Sequence, residues 1–227
     1  MPNTERTNRP AAPANIGIFG GTFDPIHLGH IHSSMDAARQ LDFDRILLIP
    51  AHLPPHKAGT HASASQRKQM VALVCAHFDI FKLDSRELER TTPSYTIDSV
   101  TELKQQHPNS KLFFFIGTDS LINLPSWHQI KELVELCHFV VSTRPGYCPA
   151  SLQDEFFKNK LTDDIALVKQ KSAGCILLLE TCQLDISSTQ IREMLKNGDS
   201  VSQYLSTEVA QFVDENGIYP EQNSRTK

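Results

Sequence analysis

The feature that most constrains the fold is a regular alternation of short apolar runs with amphipathic segments, which begins near residue 15. The run from Lys111 to Ile116 is unbroken after its first residue, as expected for a strand covered by helices on both faces. Strands that alternate with helices are typical of parallel βαβ units. We therefore predict a Rossmann-like α/β fold, a doubly wound and mostly parallel sheet with helices on both faces. The predicted strands are 16–19, 45–50, 78–83, 111–116, 139–142 and 175–179.

The predicted helices follow from apolar spacing and from capping residues. Between residues 27 and 41, Ile31, Met35 and Ala38 recur at helical spacing. Ser65 is the predicted N-cap of a helix over Gln66 to His77. Further helices are predicted at about 97–106, 127–137 and 207–215, and from Ser188 to a stop near Asn197.

The predicted organisation is a single domain over residues 15–220. Residues 1–14 contain three prolines and no apolar periodicity, so they are predicted to be a disordered tail, and 221–227 a second tail. Residues 149–173 are predicted to be a peripheral insertion.

Composition excludes several classes of protein. The formal net charge of −4 gives no global positive field for nucleic acid. No apolar run approaches the roughly 18–20 residues that span a bilayer, and the N-terminus has no apolar core of a secretory signal. The five cysteines form an odd count without a C-x-x-C pair, which is typical of reduced thiols. We expect a cytoplasmic protein whose partners are neither nucleic acid nor membrane; one or several subunits are both possible.

The stretch from Ile16 to His30 is predicted to form a phosphate site. An apolar strand leads into Gly20-Gly21, and a helix carrying His27 and His30 follows Thr22. A glycine turn lets the backbone approach a phosphate, and the N–H groups of the first helical turn point at it. The two histidines face one side of the helix and can donate hydrogen bonds to phosphate oxygens. H-x-x-H can also bind a metal, but no nearby Cys or carboxylate completes such a site, so we predict none.

Other predicted strand ends carry groups suited to a nucleotide. Ligands of doubly wound sheets bind at the carboxyl ends of the strands. Cationic side chains from separate strand ends can clamp phosphates, a carboxylate after a strand can accept from ribose hydroxyls, and serines before a helix can form a second phosphate cradle. The candidates are His56, Lys57, Asp119, Arg144, Ser187, Ser188 and Arg192.

Several nucleotide enzymes and hydrolases are excluded by missing motifs. The chain has no G-x-x-x-x-G-K-[ST], no full G-x-G-x-x-G after its first strand and no G-x-S-x-G. The pattern instead indicates phosphoryl or nucleotidyl transfer by positioning and electrostatic stabilisation.

The motifs resemble those of the bacterial nicotinate-mononucleotide adenylyltransferases, in the nucleotidyltransferase superfamily marked by [HT]-x-G-H. Gly20 to His30 matches the opening motif of this family, and Ile186 to Arg192 matches its closing motif. Pieces between them are also similar: Pro54 to Lys57, Pro93 to Thr96, Gly117 to Ser120 and Arg144 to Tyr147. The resemblance covers about Ile16 to Tyr219.

The resemblance implies transfer of AMP from ATP to nicotinate mononucleotide, which gives deamido-NAD and pyrophosphate, with Mg²⁺ accompanying ATP. It implies that the acceptor lies against Thr96, Trp127 and Tyr95. The implied catalytic residues are His27, His30, Lys57 and Arg192, and the implied ATP-binding residues are Gly20, Gly21, Thr22, His56, Asp119, Arg144, Ser187 and Ser188.

The chain departs from the family pattern in which a second aromatic often comes shortly after Trp127, because His128, Gln129 and Ile130 stand there. Alternatives are a relative that uses nicotinamide mononucleotide or phosphopantetheine, a class I tRNA synthetase, and a nucleotide-binding sensor without catalysis. Phosphopantetheine enzymes lack the Pro-Ser-Tyr-Thr and tryptophan pieces that this chain has. A class I tRNA synthetase is disfavoured because the chain has no K-M-S-K-S-like segment. The intact His27, His30 and Arg192 argue against a sensor that has lost catalysis.

Overall fold

A computed structural model describes residues 14–52, 59–91, 94–144, 146–147, 152 and 154–220. These residues form one seven-stranded parallel sheet with the strand order β3-β2-β1-β4-β5-β7-β6, which confirms the predicted fold class. The strands are β1 (Asn15–Gly21), β2 (Arg45–Pro50), β3 (Phe81–Leu83), β4 (Lys111–Gly117), β5 (His138–Thr143), β6 (Leu161–Thr162) and β7 (Ile176–Glu180).

Helices cover both faces of the sheet and bury one apolar core on each. One core includes Ile31, Met70 and Val209; the other includes Val100, Phe114 and Leu133. The helices are α1 (Leu28–Leu41), α2 (Ala64–His77), α3 (Thr96–Gln106), α4 (Thr118–Asn123), α5 (Ile130–Leu136), α6 (Glu155–Lys158), α7 (Ile165–Gln170), α8 (Ser188–Lys196) and α9 (Thr207–Glu215), with a 3₁₀ turn at Leu124–Ser126.

Three predicted boundaries were wrong. The N-cap of α2 is Ser63 rather than Ser65, because the Ser63 hydroxyl accepts from the Gln66 amide and the Gln66 side chain accepts from the Ser63 amide. β3 begins at Phe81 rather than residue 78, and α5 begins at Ile130 rather than 127. The local apolar pattern indicates where an element lies, but its first and last residues depend on capping contacts.

The predicted sixth strand is the seventh, β7. A short strand, β6, lies in the segment predicted as a peripheral insertion and pairs in parallel with β7, so this segment extends the sheet by one strand. A two-residue strand carries too little alternation to be recognised from the sequence.

The order of the strands reverses between β1 and β4, and these two strands separate there. Their pairing ends at Ile18 and Phe114, whereas β1 continues along β2 to Gly21 and β4 continues along β5 to Gly117. The Phe19 and Phe115 rings lie in this opening, with centroids 5.5 Å apart. A crevice therefore opens at the switch point, where ligands of such sheets bind.

Candidate active site

The predicted glycine turn after β1 was wrong. Gly20 and Gly21 are the last two residues of the strand, and Phe23 takes the positive φ of 51° where the chain turns. Both glycines allow close packing, since a Cβ at Gly20 would lie 3.3 Å from the Phe114 ring and one at Gly21 would lie 3.0 Å from the Phe23 ring.

The two motif histidines stack on each other at the start of α1. Their ring centroids are 3.6 Å apart, and the backbone N–H of His27 donates to Nδ1 of His30 at 3.2 Å. This bond makes Nδ1 of His30 an acceptor, so the neutral ring carries its proton on Nε2. A Cβ at Gly29 would lie 3.0 Å from Nδ1 of His27, which explains why glycine separates them in the motif.

His27 is kept neutral by burial. Its side chain is 6% exposed, and removal from water lowers its pKa to about 4. A neutral ring can donate a hydrogen bond to phosphate without adding a permanent charge to the crevice.

NMR titration of the histidine rings tests this neutral state. Because the folded-state pKa lies below the unfolded value of about 6.5, we expect His27 to show neutral-ring shifts down to about pH 5. The free energy of unfolding is unaffected by protonation of this ring above about pH 6.5. It decreases as the pH falls towards 4, because the unfolded chain then binds a proton that the buried ring does not. His138, whose pKa burial also lowers to about 4, provides an internal reference. A His27 signal that titrates near pH 6.5 would contradict the assignment.

Helix α8 is joined to the loop between β1 and α1 by two hydrogen bonds. The Ser188 hydroxyl donates to the carbonyl oxygen of Pro25 at 2.9 Å, and Nη1 of Arg192 donates to that of Asp24 at 2.7 Å. The predicted closing motif is thus placed against the opening motif. Ser187 caps α8 by accepting from the Gln190 amide.

These elements surround a cleft of about 730 Å³, a size suited to a small-molecule ligand. Eight of the predicted site residues line it: Thr22, His27, His30, Asp119, Arg144, Ser187, Ser188 and Arg192. The N-terminal turns of α1 and α8 both border the cleft, so two partial positive charges face one space. This arrangement is suited to an anion with more than one phosphate.

Two further side chains are placed by the ends of β4 and β5. Asp119 lies in the first turn of α4, and its carboxylate packs over Gly117. A Cβ at Gly117 would lie 2.7 Å from Oδ1 of Asp119. Arg144 follows β5 and donates to Asp185 at 2.7 Å and to Gln183 at 3.3 Å. Both side chains of the Arg144–Asp185 pair are exposed, so the pair holds the guanidinium only weakly.

The sequence matches known proteins along most of its length. The cytidylyltransferase-like family model matches residues 18–194. A relative from Shewanella sediminis, named "Probable nicotinate-nucleotide adenylyltransferase", is 42% identical over 206 residues, which cover 90% of this chain and 97% of the relative. The chain belongs to the cytidylyltransferase-like family, among the nicotinate-nucleotide adenylyltransferases. An Aeromonas hydrophila relative of the same name is 40% identical over 90% of this chain and 96% of its own length.

Solved structures support the adenylyltransferase fold. A Plasmodium falciparum nicotinic acid mononucleotide adenylyltransferase complexed with NaAD aligns with a TM-score of 0.65 at 20% identity, covering 91% of this chain and 97% of that one. The same protein complexed with APC aligns with a TM-score of 0.62. At this identity the likeness shows the shared fold alone.

The predicted acceptor residues of this adenylyltransferase belong to the start of α3 and to the residue after the 3₁₀ turn, on the face of the sheet that α3 and α5 cover. Tyr95 and Thr96 are the N-cap and first residue of α3. The Trp127 ring meets Phe114 edge-on with centroids 6.0 Å apart, and Phe114 packs against Gly20 of β1. The Tyr95 and His128 rings lie against each other, with centroids 4.5 Å apart. None of Tyr95, Thr96 and Trp127 lines the cleft.

Two predicted site residues, His56 for ATP binding and Lys57 for catalysis, lie outside the described residues. Within the described part, no three His, Cys, Asp or Glu side chains group as metal ligands would, and no helix there is long and apolar enough to cross a membrane.

Sequence reasoning missed a buried arginine beneath the site. Arg67 is 1% exposed, and its guanidinium donates to the carbonyl oxygens of Thr22 at 2.8 Å, Ala51 at 2.7 Å and His52 at 3.3 Å. It thereby joins the ends of β1 and β2. A signal was present, because Arg67 stands in phase with the buried Met70, Val71 and Val74 of α2.

Proposed function

We propose that this adenylyltransferase transfers AMP from ATP to nicotinate mononucleotide. The convergence of the α1 and α8 N-termini on one cleft, with His27 and His30 stacked between strand β1 and α8, carries the proposal. Such a site stabilises the negative charge that develops on the phosphates during transfer. The names of the relatives support nicotinate mononucleotide as the acceptor.

The chemistry requires no covalent intermediate on the protein. A phosphate oxygen of the acceptor attacks the α-phosphorus of ATP, a new P–O bond forms, and the bond to the β-phosphate oxygen breaks to release pyrophosphate. His30 donates from Nε2 to the reacting phosphate, and neutral His27 lies against it. Lys57, Arg192, Arg144 and the Ser187–Ser188 turn bind the triphosphate, and Asp119 accepts from the ribose hydroxyls. In this proposal His56 also contacts ATP, and Thr22 with Gly20 and Gly21 shapes the floor of the ATP site.

In this proposal the acceptor binds next to the cleft, against the start of α3 and the residue that follows the 3₁₀ turn. The backbone amide of Thr96, at the start of α3, suits a carboxylate. The Trp127 indole offers a wide face to a pyridinium ring, and Tyr95 closes the outer side. Tyr95, Thr96 and Trp127 do not line the cleft in this structure, so their contact with the acceptor is part of the proposal.

Magnesium enters this scheme with the nucleotide. ATP phosphates and water supply most of its ligands, and the described residues contain no acidic cage that would compete. The bound ion would shield the phosphate charge during attack.

We also propose that the enzyme acts in the cytoplasm, since Cys75, Cys137, Cys175 and Cys182 are free thiols.

Release of pyrophosphate from ATP tests the proposed reaction. With Mg²⁺ present, we expect kcat/KM for nicotinate mononucleotide to exceed that for nicotinamide mononucleotide by at least about 100-fold, because a carboxylate accepts a stronger, charge-assisted hydrogen bond from the Thr96 backbone amide than a neutral carboxamide does. Phosphopantetheine is expected to give no release. Comparable rates with the acid and the amide would contradict the acceptor assignment, and ATP binding without release would favour a nucleotide sensor.

A further inference from the structure

Tyr219 contacts the opening motif from the far end of the chain. Its side chain packs behind α9, it is 5% exposed, and its hydroxyl donates to Oδ1 of Asp24 at 2.6 Å. Tyr219 itself does not line the cleft, whereas Asp24 does. The contact joins residues 195 positions apart, so local sequence pattern does not indicate it.

Asp24 is the point at which three walls of the cleft meet. Its carboxylate accepts from the backbone amides of His61 at 2.8 Å and Ala62 at 2.9 Å, just before α2. Its carbonyl oxygen accepts from Arg192 of α8. The residue itself lies in the loop that leads to His27. Asp24 therefore contacts the approach to α2 through its carboxylate and Arg192 of α8 through its backbone carbonyl oxygen.

The hydroxyl of Tyr219 determines how the Asp24 carboxylate is oriented. Oδ1 accepts from both Tyr219 and Ala62, while Oδ2 accepts from His61 and lies 3.6 Å from Nδ1 of its ring. Hydrogen bonds to an ionised carboxylate are short and strong. Without the hydroxyl, Oδ1 loses one of its two donors, and the nearby Arg67 and Arg192 guanidiniums continue to attract the carboxylate.

We infer that Tyr219 is a positioning residue for adenylyl transfer, acting through Asp24 on the loop that carries His27 and on Arg192. The expected effect on kcat rests on the proposed function. A shift of the reacting groups by a fraction of an ångström lowers the rate of the chemical step far more than it weakens substrate binding. The effect is therefore expected on kcat rather than on KM.

Tyr219→Phe removes the hydroxyl and keeps the ring in the core. We expect kcat for pyrophosphate release to fall about 10-fold to 100-fold, with KM for ATP and acceptor within about twofold of the unsubstituted protein and an unchanged circular dichroism spectrum. Tyr204→Phe is the matched control: Tyr204 precedes α9, its ring packs against the same apolar core, and its backbone carbonyl oxygen, which accepts from the Leu28 amide, is retained in the variant. Tyr204→Phe should leave kcat unchanged.

Amide hydrogen exchange provides a test that needs no substrate. In Tyr219→Phe the His61 and Ala62 amides, which donate to Asp24, should exchange at least about fivefold faster than in Tyr204→Phe. The unsubstituted protein could release no pyrophosphate while Tyr219→Phe still shows the faster exchange. That result would contradict the proposed function but would support the contact between Tyr219 and Asp24. Unchanged kcat and exchange in a folded Tyr219→Phe would overturn the inference. A variant that does not fold, or whose KM values rise with kcat unchanged, would assign the hydroxyl to stability or binding and would also overturn it.

Discussion

His30→Ala is expected to lower kcat for pyrophosphate release by about 100-fold to 1,000-fold, the loss typical when one preorganised donor to a developing charge is removed. The Nε2 donor is lost together with Nδ1, which accepts from the His27 amide at 3.2 Å. His27 also loses the ring stacked 3.6 Å away. KM for ATP should change by less than about fivefold, because the N-terminus of α8 and the Arg144 and Arg192 guanidiniums remain in the cleft.

Two further variants make the His30 measurement specific. His32→Ala removes an exposed histidine from the same helix and should leave kcat unchanged. His30→Gln supplies an amide donor at a similar reach and should recover part of the lost rate. A correctly folded His30→Ala protein with nearly full kcat would refute the role of this ring in transfer.

Arg67→Met is expected to give the largest loss of stability, about 3–5 kcal/mol in the free energy of unfolding, as when one partner of a buried charge network is removed. Methionine fills a similar volume but leaves the carbonyl oxygens of Thr22, Ala51 and His52 without this donor. Burial lowers the pKa of Arg67, yet a guanidinium remains charged at any pH at which the protein folds.

Urea denaturation followed by circular dichroism measures this effect. Lys68→Met is the matched control, because Lys68 is the exposed neighbour on the same helix and should change the unfolding free energy by less than about 0.5 kcal/mol. Arg67→Lys keeps a charge but lacks the planar fork that reaches several carbonyls, so an intermediate loss is expected. Equal stability of Arg67→Met and Lys68→Met would show that these three contacts contribute little.

The sequence predicted the fold and much of the cleft because both depend on patterns that are local in the chain. Apolar runs such as 111–116 place strands, and the end of a parallel strand places the residues after it on the binding edge. Thr22, His27, Asp119 and Arg144 were found in this way, and each lines the cleft. Ser187, Ser188 and Arg192 were also found at a strand end, and the resemblance to the family, which the comparisons confirm, then identified them as a closing motif.

The predicted details failed where neighbouring elements decide the outcome. Gly20 and Gly21 were expected to turn the chain, but their small size allows the rings of Phe114 and Phe23 to lie against them within or at the end of the strand. Ser188 and Arg192 were expected to bind phosphate, and the structure also shows them joined to Pro25 and Asp24. Their phosphate contacts stay a prediction.

By itself, the sequence determined the family, the parallel sheet and the set of polar groups at its carboxyl edge, because strand periodicity and motif spacing are recorded along the chain. Only the tertiary structure decided how those groups are held. Arg67 reaches two strand ends from the buried face of α2, and Tyr219 reaches Asp24 across 195 positions. Both contacts depend on side-chain geometry between distant elements, and burial makes each one necessary, since a buried charge must find its partners within the fold.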